Sequence, residues 1–389
     1  MEQMQTEKVH DSKKNYAVYA ATVLFGIIFL AVTALSDWDS TNSYTMYNSS
    51  AKSYIRGRVE SVESERLETD ENDHTRYLGD QKITVKLLEG KHKGQTVTID
   101  NYLSQTHNIY VRENQKIIVC ADEPDGVMPY YTVYNYDRRF PIVILIAVFV
   151  LVMVWIGRGK GIRALLGIVF TLAAVMLFMA QAIYHGFSPV AVTILTLLLA
   201  TAVSLILLNG ISRRTLIAAL ATVLGLTVTG LIFRAASGML HLSGFNMDQA
   251  EELLIVSSST GLSVKNLLLA GLLISALGAV MDVAVSLTAS LQELIEVKPA
   301  LTKREMVQSG LNIGKDMIGT MSNTLILAFA GTSLNTILSL TAYGTQKLQL
   351  MCSDFLAIEL SQGICATIGV ILTVPITTWI SAALSIKNK

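Results

Sequence analysis

Long apolar runs alternate with short polar connections along most of this chain. A helix needs about 20 predominantly apolar residues to cross the hydrocarbon core of a bilayer. The last run is longer than a bilayer requires, and Pro375 inside it predicts a kink. Eight runs qualify as membrane-spanning helices, at roughly residues 16–35, 139–157, 162–183, 188–208, 215–235, 264–289, 316–340 and 355–384.

The sizeable polar region, residues 36–138, has a different pattern. Its short segments alternate apolar and polar positions, which is typical of strands with one buried face. Five short strands in about 100 residues predict a small β-barrel of the OB type. We interpret the acidic stretch ESERLETDENDH, residues 63–74, as a solvated loop. The five segments are YIRGRVESV, QKITVKLLEG, TVTIDNYL, KIIVCAD and YYTVYNY.

Two connecting segments carry helix start signals. Thr302 followed by Glu305 forms a capping box, which predicts a short helix over residues 303–309 that ends at Gly310. After the fifth span, Asn246 is positioned as the N-cap of a short outer helix.

Lysine and arginine in the short loops predict the orientation, because cytoplasmic loops are enriched in both. The basic residues fall on alternate loops, which places both termini in the cytoplasm and residues 36–138 outside. The predicted organisation is a tail at 1–15, a first span, the outer β-domain, a seven-helix domain at 139–385 and a tail at 386–389. The basic residues are Lys8, Lys13, Lys14, Arg158, Lys160, Arg163, Arg213, Arg214, Lys298, Lys303, Arg304, Lys387 and Lys389.

Composition narrows the class further. Of 389 residues 51% are hydrophobic and only 15% are charged, against about 25% in a typical soluble domain. A formal net charge of zero argues against nucleic acid as a partner. Cys120, Cys352 and Cys365 are too far apart for a zinc motif. Because the chain has no GxxxxGK[ST], HExxH or GxSxG motif, we predict no enzyme activity, no cofactor and no metal.

Polar residues inside the sixth span lie on one helical face, since they are three or four residues apart. Small residues on such a face allow close approach of another helix. Asp282 is the ionisable member, and ionisable groups within membranes usually face a bundle interior or a cavity. The stripe consists of Gly271, Ser275, Gly278, Asp282 and Ser286.

A second stripe in the seventh span comprises Asn312, Asp316, Thr320 and Asn323. If the two stripes meet, Asp282 and Asp316 share a proton or a cation, with neutral oxygens beside them. Gly314 and Gly319 flank Asp316 and would permit local unwinding. Glu359 in the eighth span is a candidate outer gate.

Two functional hypotheses follow. The first is a secondary transporter or permease for a small solute, with ion or proton coupling through the paired aspartates. The second is a non-transporting scaffold or sensor whose outer domain binds a partner or an envelope component, the polar stripes then only holding the helices together. A third hypothesis, an intramembrane hydrolase, is the weakest of the three, because the aspartates stand in the contexts GAVMD and IGKDMIG rather than in a protease signature.

Several long motifs resemble the YibE/F-like family of bacterial multi-pass membrane proteins. They are GAVMDVAVSLTASLQEL at 278–294, SGLNIGKDMIGTMSNTLILAFAGTSL at 309–334, LSGFNMDQAEELL at 242–254 and VYNYDRR before the second span. The resemblance implies a bacterial plasma-membrane protein with an extracytoplasmic amino-terminal domain. It also implies a paralogous membrane protein as a partner. It implies no particular substrate or reaction.

Overall fold

The computed structural model describes residues 2–35, 52–71, 73–124, 126–244 and 250–386. The chain divides into two compact units. One contains residues 45–152 and the other contains residues 1–44 together with 153–389. The first is built on a β-sheet and the second on helices.

The β-unit is an antiparallel half-barrel, and all five predicted strands are confirmed. Within the described residues the sheet has the order β3-β2-β1-β4-β5. The first strand stands in the centre and pairs with both β2 and β4. The strands are β1 (Lys52–Thr69), β2 (Tyr77–Leu87), β3 (Thr96–Leu103), β4 (Lys116–Asp122) and β5 (Tyr130–Tyr136).

Strand β1 is long because its first part pairs with β4 and its remaining part pairs with β2. Gly57 pairs with Ile117 of β4 and with Leu87 of β2, so β1 changes its pairing partner at this residue. A Cβ atom here would come within 2.6 Å of Val85, and only glycine allows the two halves to approach this closely. The solvated loop predicted for residues 63–74 is wrong in its first part, since ESERLET continues β1 and pairs with β2 as far as Thr69.

A buried amide pair closes one side of this sheet. Gln81 and Asn101 occupy inward positions of β2 and β3 and are almost fully buried. The Asn101 amide donates to the Gln81 side-chain oxygen at 3.1 Å and to the backbone oxygen of Ile109 at 2.9 Å. Gln81 donates to the backbone oxygen of Val111 and accepts from its N–H. The two amides therefore fasten the β3–β4 connection over the apolar interior.

The second unit is helical, and the long helix that begins at Arg139 belongs to it from Met153 onward. A π-helical segment, Ala174–Met179, joins α2 to α3. Helix α6 begins at Ala250 within the described chain, whereas its predicted cap Asn246 lies outside the described residues. The helices are α1 (Glu2–Leu35), α2 (Arg139–Ala173), α3 (Ala180–Tyr184), α4 (Pro189–Asn209), α5 (Arg213–Met239), α6 (Ala250–Thr260), α7 (Val264–Val297), α8 (Lys303–Ala342), α9 (Lys347–Met351) and α10 (Asp354–Ser385).

In the described part of the chain, seven helices are long and apolar enough to cross a membrane. One of them, Arg139–Tyr184, has 46 residues, about twice what one crossing needs. Arg158 interrupts it with non-helical backbone angles, φ 46° and ψ −133°. This break lies between the segments 139–157 and 162–183, which the sequence predicts as separate spans.

Helix α10 packs against α5 through reciprocal glycine–threonine pairs. Gly225 of α5 lies against Thr373 of α10, and Gly369 of α10 lies against Thr229 of α5. Each threonine hydroxyl donates to the carbonyl four residues earlier on its own helix, at 2.8 Å. The hydroxyls thereby have hydrogen-bond partners without needing one across the interface. Because glycine has no side chain, the two helix backbones can approach closely.

The same helix receives α8 on another face. Gly310 lies against Thr378 and Gly314 lies against Val374. The capping box of Thr302 and Glu305 is confirmed. The predicted end of this helix at Gly310 is wrong, because α8 has 40 residues and runs from Lys303 to Ala342. Gly310 is a packing position rather than a terminator.

We expect Gly369→Ala to destabilise the helical unit by about 1 to 3 kcal/mol, the usual penalty for overpacking. Its new methyl group would overlap Thr229, whose branched side chain has little freedom to move. The control is Gly271→Ala on α7, where a Cβ meets no described atom within 4 Å. Thermal unfolding in detergent measures both variants. Equal midpoints for the two would contradict the packing role of Gly369.

A bidentate ion pair directly after strand β5 gives a pH prediction. Arg139 donates to both carboxylate oxygens of Asp137, at 2.9 and 2.8 Å. These hydrogen bonds lower the pKa of Asp137 to about 2 from its usual 3.8. The resulting stabilisation is complete above pH 3.8 and is lost as the pH falls through about 2.

We therefore expect Asp137→Asn to lose less stability than the wild type between pH 4 and pH 2. Circular dichroism melts of the detergent-solubilised protein at these two pH values measure the difference. Asp73→Asn is not a suitable control, because hydrogen bonds from Thr75 also lower the pKa of Asp73. Glu68→Gln is the matched control, and an identical acid sensitivity of Asp137→Asn and wild type would contradict the role of the pair.

Candidate functional site

Asp282 lines a cleft of about 390 Å³ in the helical unit. It lies near the middle of α7, on the face that carries Gly278. The walls come from the second part of α2, the π-helical segment, α4 and α7. The lining residues are Ala164, Gly167, Ile168, Thr171, Leu172, Val175, Thr196, Leu197, Ala200, Ser204, Leu208, Ile274, Leu277, Gly278, Met281 and Asp282.

Three hydroxyl side chains are the other polar groups of this otherwise apolar lining. The hydroxyls of Thr171 and Ser204 are 3.5 Å apart across the α2–α4 contact. Thr196 is fully buried and donates to the carbonyl of Val192 at 2.8 Å. The cleft therefore combines one carboxyl group, which can take up or release a proton, with neutral oxygens that can accept hydrogen bonds.

These hydroxyl residues were absent from the candidates predicted from the sequence. A signal for two of them is present, because Thr196 and Ser204 are eight residues apart and share a helical face with Ala200. Thr171 carries no such signal, since it stands alone among apolar neighbours. Only the packing of α2 against α4 assigns it to the cleft.

The remainder of the α7 stripe is open. Gly271, Ser275, Gly278 and Ser286 are all exposed. A Cβ atom at Gly271 or Gly278 would meet no described atom within 4 Å. No helix therefore packs closely on Gly271 in the described chain, whereas Gly278 lines the cleft whose other walls come from α2 and α4. The buried face of α7 is the opposite one, rich in leucine, valine and alanine, which packs against α5 and α10.

The α8 stripe is also exposed. Asn312, Asp316, Thr320 and Asn323 lie on the side of α8 away from α10. Thr320 donates to backbone oxygens of its own helix, at 3.1 Å for Met317. Gly319 is open, whereas Gly314 is buried against α10. The two glycines that flank Asp316 thus have different surroundings.

The structure places Asp282 and Asp316 in different surroundings. Asp282 lines the cleft formed by α2, α4 and α7, whereas Asp316 lies on the open face of α8. No hydrogen bond or ion pair joins them among the described residues. The described residues also contain no group of three or more metal-ligating side chains. Within the described chain the two aspartates therefore lie on separate helix surfaces, and a cation shared between them stays a hypothesis.

Glu359 and Pro375 belong to α10. Glu359 accepts a hydrogen bond from Ser333 of α8 at 2.8 Å. Ser333 is 4% exposed, so this contact ties the two helices together far from their glycine contacts. Pro375 lies inside α10, which continues to Ser385.

Long apolar helices joined by short connections place the chain among multi-pass membrane proteins by composition and length. The comparison with protein families is more specific. The YibE/F-like protein family matches residues 145–387, and the YibE/F family N-terminal domain matches residues 50–134. The chain belongs to the YibE/F-like family. Comparisons with curated proteins and with solved structures gave no match.

Proposed function

We propose that this protein is a non-enzymatic permease that moves a small solute or a proton across the bacterial plasma membrane. The observation that carries the proposal is the cleft beside Asp282. An ionised carboxylate on a membrane helix costs about 2.5 to 3.5 kcal/mol on insertion scales. The bundle retains this group beside a space that a small polar species can enter.

The proposed topology has eight crossings, with both termini in the cytoplasm and the β-unit outside. The break at Arg158 supports a division of Arg139–Tyr184 into two spans. We also propose that the β-unit is an OB-like barrel. Its strand order supports this, because it places β3 and β5 at the two edges that such a barrel joins.

Asp282 is the proton-binding group in this mechanism. A protonated Asp282 is neutral and compatible with an apolar lining, and the ionised form attracts a cation or a proton. The hydroxyls of Thr171 and Ser204 line the same cleft and offer hydrogen bonds to a polar species inside it. Transport then requires that the cleft open alternately to the two sides.

We expect Asp282→Asn to decrease proton flux at least about tenfold, because an amide cannot exchange a proton near neutral pH. Proteoliposomes loaded with a pH-sensitive dye measure the flux when a potassium diffusion potential is imposed. Protein-free liposomes define the background.

The matched control is Glu293→Gln, which removes an exposed carboxylate from the same helix outside the cleft. It should retain the wild-type rate. Thr196→Val keeps the shape of the side chain and removes a hydroxyl from the cleft wall. Asp282 would be excluded as the carrier of proton flux by either of two results. One is an Asp282→Asn variant that moves protons as fast as the wild-type protein, and the other is a wild-type protein that is no faster than empty liposomes.

One observation favours the scaffold or sensor function as a second candidate. Val127 and Met128, in the β4–β5 connection, are 67% and 89% exposed, and Tyr130 beside them is 63% exposed. Tyr54 and Tyr134 add an exposed edge-to-face aromatic pair with centroids 4.7 Å apart. Exposed apolar side chains grouped in this way are typical of a binding surface.

A photoreactive phenylalanine derivative at Met128 tests this candidate in living cells. If the β-unit binds a partner, the Met128 position should give a discrete cross-linked product. Thr98 on β3 is an exposed control position on another strand and should give none. Equal products at both positions, or none at Met128, would refute the binding surface.

A further inference from the structure

Helix α8 presents polar side chains on a face that nothing in the described chain covers. Asn312, Asp316, Thr320 and Asn323 are exposed, as is Lys315 beside them. The same face continues into apolar residues, with Ile326 47% exposed and Leu327 60% exposed. The face is therefore polar towards the beginning of the helix and apolar further along.

Lipid is a poor neighbour for the polar part of this face. Hydrocarbon offers no hydrogen bonds, so amide and carboxyl groups on membrane helices normally contact protein or water. By a rise of 1.5 Å per residue, Asn323 lies about 16 Å further along α8 than Asn312. That distance is too great for all of the stripe to remain at one membrane surface.

The spacing of the exposed residues is that of a helix–helix seam. Asn312, Asp316, Gly319, Asn323, Ile326 and Ala330 follow one another at steps of four, three, four, three and four. All six are exposed. Such alternating steps are the a and d positions of a heptad repeat, in which two helices pack side by side.

We infer that this seam of α8 packs against the same seam of a second copy of the chain, in a parallel pair related by a twofold axis along the membrane normal. A twofold axis brings equal positions to equal depth. The inference does not rest on the proposed transport function.

The charges on the seam are complementary to themselves. In a parallel twofold pair the two Asp316 side chains, at a positions, face each other, and each Lys315, at the preceding g position, lies beside the Asp316 of the other copy. The two lysines thereby offset the repulsion between the two aspartates. In the isolated chain, the Lys315 amine donates to the side-chain oxygen of Asn312 at 3.5 Å. The second copy would therefore supply an opposite charge to the Lys315 amine, whose hydrogen-bond partner on its own helix is the neutral amide of Asn312.

The remaining seam residues also match their own copies. Asn323 carries both a donor and an acceptor, so two Asn323 side chains can hydrogen-bond to each other. A single asparagine at a seam position also selects the register and the two-helix state. Gly319, one turn earlier, is open and lets the backbones approach.

Cysteine cross-linking in native membranes tests the contact directly. In a background where Cys120, Cys352 and Cys365 are replaced by serine, Asn323→Cys should form a disulfide-linked dimer on mild oxidation. The control is Ser275→Cys, an exposed position on the open stripe of α7. It should remain monomeric at the same expression level.

Charge exchange tests the pairing without cysteines. Asp316→Lys should weaken dimerisation about tenfold, equivalent to about 1.4 kcal/mol, because it sets like charges against each other. The double variant Lys315→Asp with Asp316→Lys should recover most of the affinity. Single-molecule photobleaching of labelled protein in liposomes gives the dimer fraction in each case.

Three results would overturn the inference. They are equal cross-linking of Asn323→Cys and Ser275→Cys, a monomer at every protein density, and a cross-link from Asn323→Cys to a different membrane protein. The last result would assign the seam to another partner, such as a paralogue. None of these measurements depends on proton flux, so this inference and the transport proposal fail separately.

Discussion

The helical unit depends on the close approach of α5 and α8 to α10. In a bilayer, apolar side chains gain little by leaving lipid for protein, so helices associate through van der Waals contact and hydrogen bonding. Glycine opposite threonine or valine supplies that contact at Gly225, Gly310, Gly314 and Gly369. Threonine is suited to it because its hydroxyl bonds to its own helix and leaves the methyl group for the interface.

This packing determines which polar residues remain available. Because Gly310 and Gly314 turn one face of α8 towards α10, the face with Asp316 and Asn323 points away from the bundle. Because α7 directs its leucine-rich face to α5 and α10, Asp282 is left beside α4 and the second part of α2. One packing arrangement thus separates two stripes that look alike along the chain. Asp282 of the α7 stripe lines a cleft, and the α8 stripe lies on an open surface.

Much of the architecture follows from periodicity. Alternation in the polar region predicts the five strands, because a sheet with one buried face repeats every two residues. The same alternation puts Gln81 and Asn101 inside, yet their function became visible only with the β3–β4 connection that they bind. Gly310 shows where the sequence pattern is ambiguous. A glycine after a short helical segment is as typical of a helix end as of a helix–helix contact, and only the neighbouring helix distinguishes the two.

The sequence by itself determined the multi-pass class, the strand and helix content and the family. These properties depend on local composition and spacing, which each segment carries without reference to the others. Tertiary structure alone decided that Asp282 lines a cleft with Thr171 and Ser204, whereas Asp316 lies on the exposed face of α8. Spacing along a helix shows which residues share a face, but the direction of that face depends on which neighbouring helix it packs against.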